Sequence, residues 1–558
     1  MNTFLVALIS IKPFLNEAIW PQIANIFNII FLICAFLSIC FLRKRQISLS
    51  AFIWALGLPI LIFFSQNHSI NVYNSRQQAL TFFTYGILAL VIIGEDRKFS
   101  QKLVYLITIL SLFIGLRALY QEFIGLPYIM SNYAREEITK NGFYAWELIK
   151  QKRVVSWFLS PNILAGYIIM VLPLNFFCLV SALKSKNRIR AIGFIFTLLI
   201  NFFALAFTRS MGAYLALVFS LACWWGVFLA GDKNKLKKSV FAAGGILLIL
   251  VLVSIFMQRA NCFVNFNNPQ NSVMQRMYYW RSAARVIKES PLSGVGAGNF
   301  GIIYPRFKEP AANETVFSHN SFLQLWAECG VFALIFFIGM MVFYFSQIKK
   351  KNFDLLIMGS LIGVLAFLIH NLFDYTFFIP QVAWLWWVLV ACSLRLGENE
   401  DLKDCFLDRK FGLLPRGIMA MLIVGLIYFN FLNFNEAKNI NKAEKFLKNR
   451  DFEQAIYSIK RALDYRPNND FSYYLLARAL RGHEEAEFCS LVVDNYKKAI
   501  KLNPQYAFYY YELGEYFMRY GKFGEAQCFL KYAVEAYPTN KLFLIALDKV
   551  NFVFAEEE

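Results

Sequence analysis

Apolar runs of roughly 17–25 residues recur from residue 22 to residue 433. Each is long enough to cross the ~30 Å hydrocarbon layer of a bilayer as a helix. Lipid offers no hydrogen-bond partners, so each run must satisfy its own backbone, which an α-helix does. The expected fold is therefore all-α, a polytopic membrane helix bundle of about 12 spans. They fall at 22–42, 49–65, 77–94, 103–120, 161–183, 190–208, 211–231, 238–257, 321–346, 353–370, 377–395 and 412–433. Composition agrees: 58% of the 558 residues are hydrophobic and only 17% are charged, too few to cover a soluble chain of this length. Residues 1–21 fit the pattern least. The run from Phe4 to Trp20 carries Lys12, Pro13 and Glu17 and reads either as an interfacial helix or as a short first span. It lacks a basic n-region and an A-x-A-like site, so no cleavable signal peptide is expected.

The formal charge of +19 is distributed as membrane topology requires rather than as a nucleic-acid patch, and no nucleic-acid partner is expected. Alternate loops are basic: Arg43 to Arg45; Arg97, Lys98 and Lys102; Lys184 to Arg190; Lys233 to Lys238; Lys349 to Lys351; and Lys403 to Arg416. The positive-inside rule puts these six in the cytoplasm. Residues 121–160, the turn at Arg209, the long loop 258–320, the turn 370–376 and everything after 434 then lie outside. The ten cysteines are scattered singly, with no C-x-x-C pair, and read as small core residues.

Beyond about residue 436 the sequence turns polar and acquires a period. One unit reads Tyr510, Leu513, Gly514, Phe517, Gly521, Ala526, Leu530, Ala533, Pro538. Earlier units end at Pro504 and Pro467, with an insertion around Arg481 to Glu487 in the middle one. Small residues where paired helices touch, and a proline after the second helix, form the tetratricopeptide pattern; a plain array of helical hairpins is the blander alternative. The domain expectation is 1–433 as a membrane domain that includes the loop 258–320. Residues 434–558 form a helical tetratricopeptide array outside the membrane, which would bind a protein partner.

Four histidines occur in the chain, and His319 is the one that ends the long outer loop and opens an apolar helix. Upstream, the helical run 276–288 places Arg276 and Trp280 on one face and Arg281 and Arg285 on another. Guanidinium forks suit phosphate, although a basic helix lying on anionic headgroups would look the same. Gly296, Gly298 and Gly301 match G-x-G-x-x-G, but no strand precedes them. The reading is a tight turn whose backbone can approach a ligand, not a dinucleotide site. Arg209 lies in a turn between two apolar runs, as a functional charge or as a snorkelling helix end. His370 and Asp374 end another span, as a structural pair or with a direct role. His68 and His483 have no motif around them. No metal-ligand spacing is present, and no cofactor is expected.

Taken in order, Arg276-x-x-x-Trp280-x-x-Ala283, Pro291-Leu292-x-Gly294-Val295-Gly296-x-Gly298-Asn299-Phe300, Tyr304 and His319-Asn320-x-Phe322-Leu323-Gln324 with Glu328-x-Gly330 resemble the O-antigen ligase/polymerase superfamily. Ser160-Pro161-Asn162, the Arg209 turn and His370-x-x-x-Asp374 followed by Pro380 agree. The turn departs from the family's Ser-Arg-Gly, because Ser210 and Met211 separate Arg209 from Gly212. The resemblance implies a membrane glycosyltransferase that moves glycan from a polyprenyl-diphosphate carrier to an acceptor hydroxyl of a glycan, lipid or protein. It implies a bacterial inner membrane, an active face outside the cytoplasm and no metal. His319 would act as base, with Arg276 and Arg209 on the diphosphate. Asn320, Asn162, Gly296, Gly298, Tyr304, His370 and Asp374 would line the substrate site; Arg281 falls at a variable family position and joins them only through its guanidinium fork. The rivals are a non-catalytic polysaccharide transporter and a membrane scaffold acting through its repeats.

Overall fold

The computed structural model describes residues 2–17, 19–41, 49–133, 143–231, 271–348, 355–397, 413–483 and 489–557. Every regular element among them is helical. Eight helices among these residues are long and apolar enough to cross a membrane: Pro21–Ser38, Ser50–His68, Val72–Gly94, Arg97–Asn132, Pro161–Lys184, Arg188–Thr208, Ser321–Gln347 and Gly417–Lys448. Shorter apolar helices, Met211–Trp225 and Leu355–His370, fall on two more of the expected spans. The helix Pro380–Gly397 falls on another. The expected span 238–257, residues 258–270 of the long loop, the insertion residues 484–488 and the basic clusters at 43–45, 233–238, 349–351 and 403–412 lie outside the described residues.

The helix Pro380–Gly397 forms the centre of the bundle. Trp384, Trp386 and Trp387 are all fully buried, on different sides of the helix, as expected of one that is apolar all round. Its neighbours include the helices Val72–Gly94 and Arg97–Tyr120.

Residues 2–14 bury one face in the bundle, through Leu5, Val6, Ile9 and Lys12, and leave Phe4 and Ile11 exposed. Asn2 Nδ2 donates to Glu95 Oε2 at 3.1 Å, and the Glu95 carbonyl accepts from Arg395 Nε. At the other end, the Pro13 carbonyl accepts from Gln381 Nε2 at 2.9 Å. The segment therefore runs antiparallel to Pro380–Gly397 along its length. Lys12 is tolerated inside because Glu17 pairs with it and Asn28 accepts from its ammonium at 3.0 Å. The ammonium also stands 4.7 Å over the Phe27 ring.

Two expected boundaries change. The span expected at 103–120 continues through a π-helical turn, Gln121–Gly125, into Leu126–Asn132, so the outer segment 121–160 begins as helix. The helix that holds the last expected span does not end near 433. It runs without a break as Leu413–Lys448 into the tail, so the expected domain border falls inside one helix. Beyond it, six helices among the described residues pack in succession from Phe452–Tyr465 to Lys541–Glu557. Ala455, Ala462, Ala477, Ala499, Ala526 and Ala533 are fully enclosed where these helices meet, which explains the small-residue period.

Candidate active site

The site is organised by a break in a helix. Within Ser321–Ile348, Gly330 adopts φ 80° and ψ 172°, a region open essentially to glycine alone. The break releases the Ala327 and Glu328 carbonyls, which accept from the N–H groups of Val295 and Gly296 at 3.0 and 2.9 Å. The Val331 N–H donates to the Pro291 carbonyl at 3.1 Å. A Cβ at Gly330 would lie 1.9 Å from the Leu292 carbonyl oxygen. The strip 291–296 thus fills the break, and residues 321–329 stand apart from the spanning part of the helix.

The Glu328 carboxylate fixes the glycine turn. Its oxygens accept from Gly298 N–H at 2.9 Å, Phe300 N–H at 3.1 Å and Gln324 Nε2 at 2.7 Å. Gln324 in turn accepts from the Ser318 N–H at 2.7 Å, which anchors the residue before His319. Gly296, expected near a ligand, meets protein instead: a Cβ there would lie 2.3 Å from Ser69 Oγ. Gly298 is exposed, with its N–H taken by Glu328. Asn320 spends its side chain on the helix start, where Oδ1 accepts from Phe322 and Leu323 N–H at 3.0 and 3.1 Å.

His319 itself has φ 53°, a left-handed conformation uncommon for a non-glycine residue. Tyr279 stacks on its ring at 5.1 Å, Tyr375 meets it edge-on at 4.7 Å, and Trp280 Nε1 donates to its carbonyl at 3.4 Å. Nδ1 is enclosed and has no hydrogen-bond partner among the described residues. This half-buried imidazole is held well below its ordinary pKa, at about 4, chiefly by loss of solvent. The Asp374 carboxylate raises it in part, and Arg276 lowers it. Loss of solvent also pushes the Tyr279 phenol up to about 12. At neutral pH the site therefore presents a neutral imidazole beside a permanent cation.

That cation is Arg276. Its Nε donates to the Phe373 carbonyl at 2.8 Å, one terminal nitrogen donates to Ser272 O at 3.2 Å, and the other lies 4.0 Å from Asp374 Oδ2. Ser321 completes the join. Its N–H donates to the Asn371 and Asp374 carbonyls at 2.9 and 3.1 Å, and its hydroxyl donates to Asn371 Oδ1 at 2.6 Å. The turn after His370 is thus bolted to the turn that carries His319.

Arg209 is the second cation. It ends Arg188–Thr208 in a left-handed conformation, φ 51°. Its guanidinium donates to the Gln151 carbonyl at 2.6 Å and lies 3.9 Å from Glu122. Arg153 braces the same turn: Nε donates to the Thr208 carbonyl at 2.9 Å, and a terminal nitrogen donates to Asn162 Oδ1 at 3.0 Å. His370 links the two halves. A Cβ on Gly212 would sit 3.6 Å from its Nδ1 and 3.8 Å from Phe373 Cβ. The extra residues between Arg209 and Gly212 therefore leave Gly212 in place against His370.

Two expected residues stand elsewhere. Arg281 is largely exposed and lies 3.7 Å from Glu309. Tyr304 is fully buried, and its hydroxyl donates to the Asn313 carbonyl at 2.8 Å, which makes it the core of the outer loop. Sequence reasoning misses Arg153, Glu122, Tyr279 and Tyr375. Arg153 has one available signal, its place nine residues before Asn162 beside the Arg209 turn. The two tyrosines have none, because aromatic residues are common in this chain.

Residues 196–338 match the family model described as O-antigen ligase. That match supports the O-antigen ligase superfamily. The matched stretch holds Arg209, Arg276 and His319, while Asn162, His370 and Asp374 lie outside it and join by contact. No curated protein matches the chain. The likeness to that family supports glycan transfer of the ligase or polymerase type in general, by a multi-pass membrane protein, with a lipid-linked glycan donor and a glycan or lipid acceptor.

Proposed function

We propose that the protein transfers a glycan from a polyprenyl-diphosphate carrier to an acceptor hydroxyl on the outer face of the inner membrane, without a metal. The acceptor oxygen attacks the anomeric carbon and the bond from that carbon to the diphosphate oxygen breaks. The hydroxyl proton passes to His319, and the carrier leaves as its diphosphate. Arg276 and Arg209 neutralise the charge that grows on that leaving group. The observation that carries the reading is the neutral His319 ring, held in a left-handed turn beside Arg276 within the family-matched stretch. A base of low pKa is weak, so the proton moves as the new bond forms, helped by donor anions that raise the imidazole pKa.

The orientation rests on the six basic loops and on the tail's bonds to the outer loop. Tyr537 bonds Glu314, and Asp470 bonds Asn71, which supports a tail on the same face as His319. This second domain reads as a tetratricopeptide array with a protein partner. The test is transfer from purified polyprenyl-diphosphate glycan by wild type, His319→Ala and Arg276→Ala, with and without EDTA. Loss in both folded variants with an EDTA-resistant wild type supports the reading. Full activity in the variants contradicts it, and EDTA-sensitive wild-type activity removes the metal-free step.

A further inference from the structure

We propose that the tail is a positioning element of the catalytic site, acting through Asp470, in addition to any partner it binds; this rests on the His319 reading above. Asp470 is a buried carboxylate at the start of a tail helix. One oxygen accepts from Asn503 Nδ2 and Tyr509 OH, both at 2.9 Å, which ties together two successive units of the array. The other accepts from Asn71 Nδ2 at 2.9 Å, in the membrane domain. A buried carboxylate with three donors is a costly feature unless each bond is made, so its geometry is closely defined.

Asn71 is no passive partner. Its Oδ1 accepts from the Asn74 N–H at 3.2 Å and starts the helix Val72–Gly94. Its carbonyl accepts from Asn299 Nδ2 at 3.3 Å. Asn299 lies between Gly298 and Phe300, whose N–H groups Glu328 holds, and Glu328 leads through Gln324 to Ser318. His319 is the next residue. The tail also reaches the far end of the same loop: Tyr537 bonds Glu314, and Lys308 pairs with Glu314. Arg466 adds a third contact, 5.0 Å over the Tyr73 ring. The tail thus touches the loop directly at Glu314 and reaches Asn299 through Asn71, two points that both lie ahead of His319 in the chain. Catalysis is sensitive to misplacement of about 1 Å, which can cost about 100-fold. A latch of this kind has a direct route to rate.

The inference predicts a loss in kcat with donor KM held. In full-length protein, Asp470→Ala and Asn71→Ala are each expected to lower kcat about tenfold and leave KM within about twofold. The double variant is expected to lose little more than the worse single one, because both singles already remove the Asp470–Asn71 bond. Asp470→Asn, which keeps an acceptor, is expected to recover part of the rate. Asn71→Ala leaves the tail's own bonds from Asn503 and Tyr509 to Asp470 intact, so it separates loss of the latch from loss of tail folding. Hydrogen exchange over 290–320 is expected to rise in both single variants. Unchanged kcat, a purely additive double variant, or unchanged exchange in 290–320 would overturn the inference. Exchange does not depend on turnover. If His319→Ala proved active, the site reading would fail while exchange still decided whether the tail orders this loop.

Discussion

Lowering the pH to about 5.5 is expected to leave the His319 imidazole neutral in the free protein. An ordinary histidine, with a pKa near 6.5, would be only about one-tenth neutral there. With a pKa of about 4, His319 is almost wholly neutral. The two cases differ by roughly tenfold in kcat/KM at that pH, which reports the free enzyme. The sign follows from the cause: burial disfavours the charged ring, so the acid limb of kcat/KM moves down from 6.5 toward 4. Folding stability shifts in the same window. The unfolded chain binds the proton first, so stability falls as the pH drops from about 6.5 toward 4. The profile of kcat is expected to differ, because bound diphosphate adds negative charge and raises the ring's pKa, moving the kcat limb upward. Asp374→Asn removes the carboxylate that raises the ring and is expected to push its pKa lower still, whereas Arg276→Ala is expected to raise it. Initial rates of transfer from a defined lipid-linked donor between about pH 5 and 8 read these limbs. An acid limb near 6.5 in kcat/KM, lost in a variant with residual activity at His319, would refute the enclosed, neutral ring.

Gly330→Ala is expected to abolish activity and lower thermal stability by more than about 3 kcal/mol. It combines a glycine-only conformation with a 1.9 Å clash against the Leu292 carbonyl, and a melt of detergent-purified protein checks it. Arg153→Lys keeps the charge but lacks the fork that reaches both Thr208 and Asn162. Transfer is expected to fall about tenfold or more, and wild-type rates in that variant would refute the brace. Arg281→Ala, whose side chain turns to Glu309, is expected to leave kcat within about twofold.

Elements that repeat or bear unusual charge are legible in the sequence. Apolar length places most spans, and alanine spacing places the tail's helices. His319 and Arg209 stand out because a charged or titratable group at the edge of lipid is costly, and Arg276 because it heads a helical run of guanidinium forks suited to phosphate. Periodicity has no signal for contacts across chain distance. The Glu328 carboxylate reads as one acidic residue in an apolar run, and only the fold shows it holding the turn of Gly298 and Phe300. The Gly330 break is hidden because the apolar helical pattern continues on both sides of it, while its cause lies in residues 291–296. Glycine permits close approach, which is why Gly296 reads as a ligand contact; the close approach it makes is to Ser69. Lys12 and Glu17 look like interruptions of a span, yet they neutralise each other inside the bundle.

The central claim is that His319 acts on the acceptor's proton and does not hold the donor. Single-turnover transfer by His319→Ala, with donor binding measured separately on the same protein, tests it most directly. The account predicts donor affinity within a few-fold of wild type and a transfer rate lower by roughly 100- to 10,000-fold. Transfer at the wild-type rate, or a loss fully explained by weaker donor binding, would contradict it.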